Sequence, residues 1–216
     1  MAEIFHEVDE DVRRERYEKL WKAYGKYIVG AVLGIVVATI AVVGWRQYQL
    51  GQREAEGERF AAALALSAEG RSAEAANAFA ELAGEAGRGY RLLARFQAAA
   101  ALKDSGAGDR AVSIYDQIAA EGGAGATLRD LAALLAVQTL FDQASAPELE
   151  RRLERLLGDD NPWRYSAREL AALVALKSGN TAAAREGFAA LADDASAPAG
   201  LRARAAEMLA AIGGTG

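Results

Sequence analysis

The chain has 216 residues, of which 52% are apolar and three are prolines. This length allows a short membrane anchor plus one domain with a hydrophobic core, and the scarcity of helix breakers favours an all-α fold. The net charge of −5 gives no basic surplus for a nucleic-acid partner. The absence of cysteine excludes disulfides, thiolate metal sites and cysteine nucleophiles, and the single histidine, His6, cannot form a His-rich metal site.

Residues 1–26 form a charged tail, which we expect to be helical from Asp9 onwards. Its apolar residues recur with helical spacing at Tyr17, Leu20, Trp21 and Tyr24. This face would lie in the membrane interface or against a membrane partner. The simpler interpretation is a charged lead-in to the apolar stretch that follows, and the residues leave both interpretations open.

Residues 27–45 contain no charge, and they approach the roughly 20 apolar residues that a transmembrane helix needs. Aromatic rings stand at both ends, as in a membrane-interface belt. They are Trp21, Tyr24 and Tyr27 before the stretch, and Trp45 and Tyr48 after it. A buried core helix is rarely apolar around its whole circumference, and a cleaved signal peptide would offer a small-x-small cut site, which VVGWRQYQ lacks. We interpret the stretch as an uncleaved signal-anchor helix.

Basic residues predict the orientation of this helix. Six precede it and three follow it, each set within about 15 residues of the stretch. They are Arg13, Arg14, Arg16, Lys19, Lys22 and Lys26 on one side, and Arg46, Arg53 and Arg59 on the other. Because basic residues favour the cytoplasmic side, we predict a cytoplasmic N-terminal tail, followed beyond the membrane by a linker at 46–52 and the larger C-terminal part.

Gly30, Gly34 and Ala38 form a ridge of small residues on one face of the predicted membrane helix. Such a ridge would allow close packing of another membrane helix, including a second copy of this chain in a homo-oligomer. The alternative is that small residues are simply frequent in membrane spans.

Beyond Gln52 the sequence repeats with a period of about 36 residues. Three segments carry a small residue, an aromatic residue, an aliphatic residue and an alanine at one spacing: Ala75, Phe79, Leu82, Ala83; Ala111, Tyr115, Ile118, Ala119; and Ala184, Phe188, Leu191, Ala192. A degenerate copy lies between the last two, with Leu149, Leu153, Leu156 and Leu157. Upstream of each copy stands a small residue suited to a helix contact: Ala63, Ala99, Val137 and Ala172.

The repeats predict a domain of about four helical hairpins and a capping helix over residues 53–213. The helix pairs are 53–69 with 72–86, 89–104 with 109–121, 126–143 with 147–157, and 162–178 with 181–194, and the last helix is 198–212. We place Pro147, Pro162 and Pro198 in first helical turns and Asn161 at an N-cap. These features resemble tetratricopeptide repeats with a slightly long period and few of the consensus tryptophans and prolines. An irregular α-solenoid that only mimics the period is the alternative.

The first helices of stacked hairpins form a concave surface suited to extended peptides or partner helices. The residues expected near it are Phe60, Phe96, Lys103, Gln138, Phe141, Glu169 and Lys177. Each has a simpler interpretation, because the phenylalanines fit packing between repeats and the charged residues fit a solvated face. The set lacks the lysine and asparagine cluster that would bind a terminal carboxylate.

No catalytic residue, cofactor site or metal site is predicted, and we do not expect an enzyme. The pairs Asp159-Asp160 and Asp193-Asp194 fall where helices end, which indicates turn and cap residues. The segments GEAGRG and GGAGA neither follow a strand nor carry the lysine of a phosphate loop.

The chain resembles, over essentially its whole length, the ancillary SecYEG translocon subunit family of Gram-negative inner membranes. The most specific segments are YGK before the apolar stretch, at Tyr24-Gly25-Lys26, and GWRQY after it, at Gly44 to Tyr48. The resemblance implies a single-pass inner-membrane protein with a periplasmic repeat domain. It also implies association with the SecYEG translocon and with periplasmic chaperones, so that exported client proteins are helped to emerge and fold. It supplies no catalytic residue.

Two other functions stay open from the sequence. The first is a cell-envelope scaffold for division or outer-membrane assembly. The second is an anchored regulator that signals through its tail, although the tail is short and holds no recognisable domain.

Overall fold

The computed structural model describes the backbone of residues 3–213 and, from residue 21 onwards, the side chains except those of residues 23, 28 and 32. Within this range the protein has nine α-helices and no strand, which confirms the predicted all-α class. His6 and the tail residues Tyr17 and Leu20 have side chains outside the described set. The chain divides into two units, Met1–Ala55 and Glu56–Gly216.

The first unit consists, where it is described, of helix α1, which spans Glu3–Ala68 and continues into the second unit. The helix passes through residues 46–52 without a break, so the predicted linker has helical backbone. Between residues 21 and 50 its described aromatic and large apolar side chains are exposed, including Trp21 and Trp45. Within the described residues this is the one helix long and apolar enough to cross a membrane, with a mean hydropathy of 2.5 in an 18-residue window. The boundaries at residues 26 and 45 stay predictions.

The second unit is a series of helices joined by short turns. After the end of α1 come α2 (Ser72–Glu85), α3 (Arg88–Asp104), α4 (Gly108–Ala120), α5 (Ala126–Leu140), α6 (Ala146–Leu153), α7 (Arg164–Lys177), α8 (Thr181–Asp193) and α9 (Ala199–Gly213). Single 3₁₀ turns occur at Gly122–Ala124 and Glu154–Leu156. Each helix from α2 to α9 packs on the next one, which gives the predicted hairpins with α9 against α8.

The core of this unit is built from the positions that define the repeats. Phe79 and Phe188 are completely buried at equivalent places in α2 and α8, and Tyr115 is buried in α4. The small residues predicted at helix contacts, among them Ala63 and Ala99, are buried as well. Burying each large side chain stabilises the fold by about 1.5–3 kcal/mol, so the second helices supply most of the hydrophobic stabilisation.

Three hairpin turns share one geometry that requires glycine. Gly70, Gly106 and Gly179 have φ between 74° and 84°, a left-handed conformation that other residues adopt only with strain. In each turn the residue after the glycine donates its N–H to a carbonyl five residues earlier, as Arg71 does to Leu66 at 2.9 Å. This Schellman arrangement satisfies carbonyls at the end of the first helix and reverses the chain into the second.

The third hairpin departs from this pattern in both its turn and its second helix. Its turn carries no glycine, and the N–H groups of Gln143 and Ala144 both donate to the Leu140 carbonyl, at 3.0 and 2.8 Å. Helix α6 has 8 residues and ends in the 3₁₀ turn. Leu149, Leu153 and Leu156 are nevertheless completely buried, so the degenerate copy keeps its packing role.

The helix starts near two prolines differ from the predicted ones. Helix α7 begins at Arg164, two residues after Pro162, and α9 begins at Ala199, directly after Pro198. Asn161 is therefore not the N-cap of α7. Its side-chain oxygen accepts from the Trp163 N–H at 2.8 Å, which forms an Asx turn that leads into the helix.

Candidate protein-interaction surface

Phe60 and Phe96 occupy equivalent places in successive repeats and pack within their own hairpins. The Phe60 ring lies 5.3 Å from the Phe79 ring in an edge-to-face arrangement, and Phe96 lies 6.1 Å from Tyr115. Phe60 also lies 5.8 Å from Tyr90 of the next hairpin. Aromatic pairs at these separations stabilise packing beyond simple burial. Both phenylalanines therefore hold the two helices of a hairpin together.

Phe141 and Lys177, which we placed separately on the concave surface, contact each other. The Lys177 ammonium donates to the Phe141 carbonyl, and to the Ala144 carbonyl at 3.2 Å. It also lies 5.3 Å from the centre of the Phe141 ring, within range of a cation–π contact. The lysine of α7 thus satisfies carbonyls in the turn after α5, where the glycine of the other hairpins is missing.

Glu169 is also held by the fold. Its carboxylate accepts two hydrogen bonds from the Arg204 guanidinium, at 2.8 and 2.9 Å, and its side chain is 19% exposed. This bidentate pair joins α7 to the last helix, α9.

The five remaining predicted site residues are open to solvent. Lys103 and Gln138 are exposed on α3 and α5, and neither side chain has a hydrogen-bond or ion-pair partner among the described residues. On α1, a Cβ added at Gly30 or Gly34 would meet no atom within 4 Å. Ala38 is exposed on the same helix.

Sequence reasoning missed three exposed leucines on the first helices. Leu64 and Leu128 are each 39% exposed, and Leu93 is 53% exposed. Leu64 and Leu93 follow Phe60 and Tyr90 by one helical turn each, and because those two rings are 5.8 Å apart, Leu64 and Leu93 lie on neighbouring helices at a similar height.

Ion pairs link several charged side chains of the repeat unit, among them Glu148 with Arg151 and Arg152, and Asp159 with Arg168. Hydrogen bonds from Arg152 and Arg151 hold the pKa of the Glu148 carboxyl below its usual range. Arg168 does the same for Asp159. Among the described residues no three His, Cys, Asp or Glu side chains are grouped to hold a metal.

Stacked hairpins with exposed leucines on their first helices define a helical-repeat protein of a class suited to binding other proteins. Residues 18–208 match the family described as the tetratricopeptide repeat-like domain. The protein belongs to this family, since the match covers most of the chain. A comparison with curated proteins finds none that matches it. Domains of this class typically bind proteins and carry no catalytic activity.

Proposed function

We propose that this protein is a membrane-anchored interaction module at the SecYEG translocon, where it assists the handover and folding of exported proteins together with periplasmic chaperones. The observation that carries the proposal is the combination, in one chain, of a helix apolar enough to cross a membrane and a tetratricopeptide-like repeat domain. Anchoring raises the local concentration of a binding surface where clients emerge.

The proposed topology is a cytoplasmic N-terminus, a single pass through the cell inner membrane and a periplasmic repeat domain. The excess of basic residues before the apolar stretch supports this orientation. The lack of cysteine is compatible with an oxidising compartment. Fusions after Gly216 test the topology: alkaline phosphatase should be active and a fluorescent protein dark, and the reverse pattern would contradict it.

The proposed contact surface for clients is centred on Leu64 and Leu93. Both are large, apolar and exposed, and they lie on neighbouring first helices. Contiguous apolar surface of this kind is typical of protein-interaction sites. Phe96 is a poorer position for a probe, because replacing it would remove its contact with Tyr115.

Photo-crosslinking in intact cells tests the function. A photoreactive residue at Leu93 should form adducts with exported chains and chaperones, and one at Gly34 should form adducts with channel subunits. Ala80, exposed on second helix α2, is the control position. Adducts with division or outer-membrane assembly proteins would favour the envelope scaffold instead, and failure to label any translocon subunit would contradict the proposal.

A further inference from the structure

A second feature of the repeat unit, away from Leu64 and Leu93, is a pocket between the second helices α4 and α6. Its volume is about 350 Å³. Asp116, Ala119 and Ala120 of α4 form one wall, and Ala133 of α5 adds a small side chain. Three arginines, Arg151, Arg152 and Arg155, form the opposite wall. A small-residue wall opposite three guanidinium groups leaves room for a polar side chain from outside.

The arginines outnumber the carboxylates that neutralise them. Arg152 donates to Asp116 at 2.9 Å and to Glu148 at 2.7 Å. Arg151 donates to the same Glu148 at 2.8 and 3.0 Å. Arg155 has no hydrogen-bond or ion-pair partner among the described residues. One positive charge of the pocket is therefore unbalanced, in a region, residues 46–216, where 23 acidic residues exceed 19 basic ones.

Arg155 lines the pocket because it follows Arg152 by three residues. Helix α6 ends at Leu153, and Arg155 lies in the 3₁₀ turn that continues it. Residues three apart lie on one face of an α-helix, and in a 3₁₀ turn they eclipse each other. Arg155 therefore comes close to the side of the helix that Arg152 occupies, while Leu156 points into the core and is completely buried.

We propose that this pocket binds a glutamate or aspartate side chain from a short acidic segment of a partner protein. The guanidinium of Arg155 would take the carboxylate in a bidentate pair, a geometry that a planar guanidinium matches well.

The overall charge of the repeat domain favours a short acidic segment over a polyanion. Nucleic acids and anionic lipid surfaces present many negative charges at once, and the surplus of acidic residues repels them beyond the pocket. A short segment with a few carboxylates extends only a small distance beyond the pocket. Acidic residues farther from it than the Debye length of about 8 Å at physiological salt are screened and repel it little. The site lies on second helices and does not depend on the membrane location or on the translocon assignment.

The test uses the full chain in detergent and a fluorescein-labelled glycine–serine peptide that carries a short run of glutamates, read by fluorescence anisotropy. We expect saturable binding that weakens as salt is raised, and at least about tenfold weaker binding of the same peptide with glutamines in place of glutamates. Equal binding of the two peptides would overturn the proposal.

Two charge-reversal variants localise the site. Arg155→Glu should weaken peptide binding at least about tenfold. Arg110→Glu is the matched control, because Arg110 is exposed on α4, is unpaired among the described side chains and does not line the pocket. Its affinity should stay within about twofold, a difference below about 0.5 kcal/mol. Equal weakening by the two variants would show that net charge alone attracts the peptide.

Both variants should keep the far-UV circular dichroism of the parent, because neither arginine holds another side chain. Vesicles of phosphatidylglycerol provide the last comparison. If the vesicles fail to displace the bound peptide, the result supports a protein partner. If the peptide does not bind, and the vesicles bind to the parent protein but not to the Arg155→Glu variant, the pocket is a lipid site and the proposal is overturned.

Discussion

Adding one methyl group at Gly187 should destabilise the repeat unit, although the same change elsewhere should stabilise it. Gly187 lies in α8, and a Cβ there would meet the Ala172 Cβ of α7 at 3.0 Å and its Cα at 3.7 Å. Carbon atoms pack best at about 3.5–4.0 Å, so the methyl would be about half an ångström too close. Ala172 cannot rotate away from the contact, so relief requires a shift of a helix.

The expected magnitude is the difference of two effects. Replacing glycine by alanine inside a helix gains about 0.5–1 kcal/mol, and overpacking a close contact costs about 1–3 kcal/mol. We expect Gly187→Ala to lose about 1 kcal/mol, which lowers the Tm by about 2–4 °C for a domain of this size. Thermal unfolding of the full chain in detergent, followed by far-UV circular dichroism, measures this shift.

Gly84→Ala in α2 is the matched control, because a Cβ there would meet nothing within 4 Å. It should raise the Tm by about 1–4 °C. Ala172→Gly should cost about 1 kcal/mol alone and clearly less when combined with Gly187→Ala, since the two changes together restore the space. If Gly187→Ala stabilises the protein as much as Gly84→Ala does, the close helix contact does not limit packing.

Two further predictions concern polar contacts. Lys177→Ala should lower stability by about 1 kcal/mol, because the carbonyls of Phe141 and Ala144 lose their donor, whereas Lys103→Ala should leave the Tm unchanged; equal effects in thermal unfolding would rule out the capping role. Arginines lower the carboxyl pKa values of Glu148 and Asp159 in the folded state. These ion pairs therefore stabilise the fold at a pH above the carboxyl pKa values of the unfolded chain, which are about 4. The stabilisation is lost as the pH falls through the lower pKa values of the folded state. The urea midpoint should therefore drop between about pH 6 and pH 3, with a smaller drop for Glu148→Gln, and an equal drop for that variant would contradict the assignment.

The repeat architecture could be predicted because its signal lies in apolar residues at fixed spacing. Phe79, Tyr115 and Phe188 were identified by that spacing, and all three are buried. The leucines of the degenerate copy could be predicted as well, because a large aliphatic side chain can fill the core position that an aromatic residue fills in the other repeats. Hydrophobic period therefore predicted which residues face the core, and glycine in the turns agreed with it.

The surface contacts could not be predicted in the same way. The helical period placed Lys177 and Glu169 on a first-helix surface, but it carries no information about the neighbour that each meets there. Lys177 contacts a turn on the preceding hairpin, and Glu169 pairs with Arg204 on the last helix. Those contacts depend on how far one hairpin is offset from the next, which is a property of packing rather than of spacing.

The arginine pocket was missed for a related reason. A helical period already places Arg152 and Arg155 on one face, but it does not show that this face meets Ala119 and Ala120 of α4. The pocket depends on how the two second helices pack together.

The buried residues of the repeat unit fall into three clusters, and α5 and α7 each form a wall shared by two of them. Ala132 of α5 faces the first cluster while its neighbour Ala133 faces the second. The buried side chains of each cluster, which we call a compartment, can thus change independently, so long as the shared helix keeps its small residues. The third repeat could in this way exchange an aromatic for leucines without disturbing Phe79 or Phe188, and compensating mutations should be sought inside one compartment rather than across the whole stack.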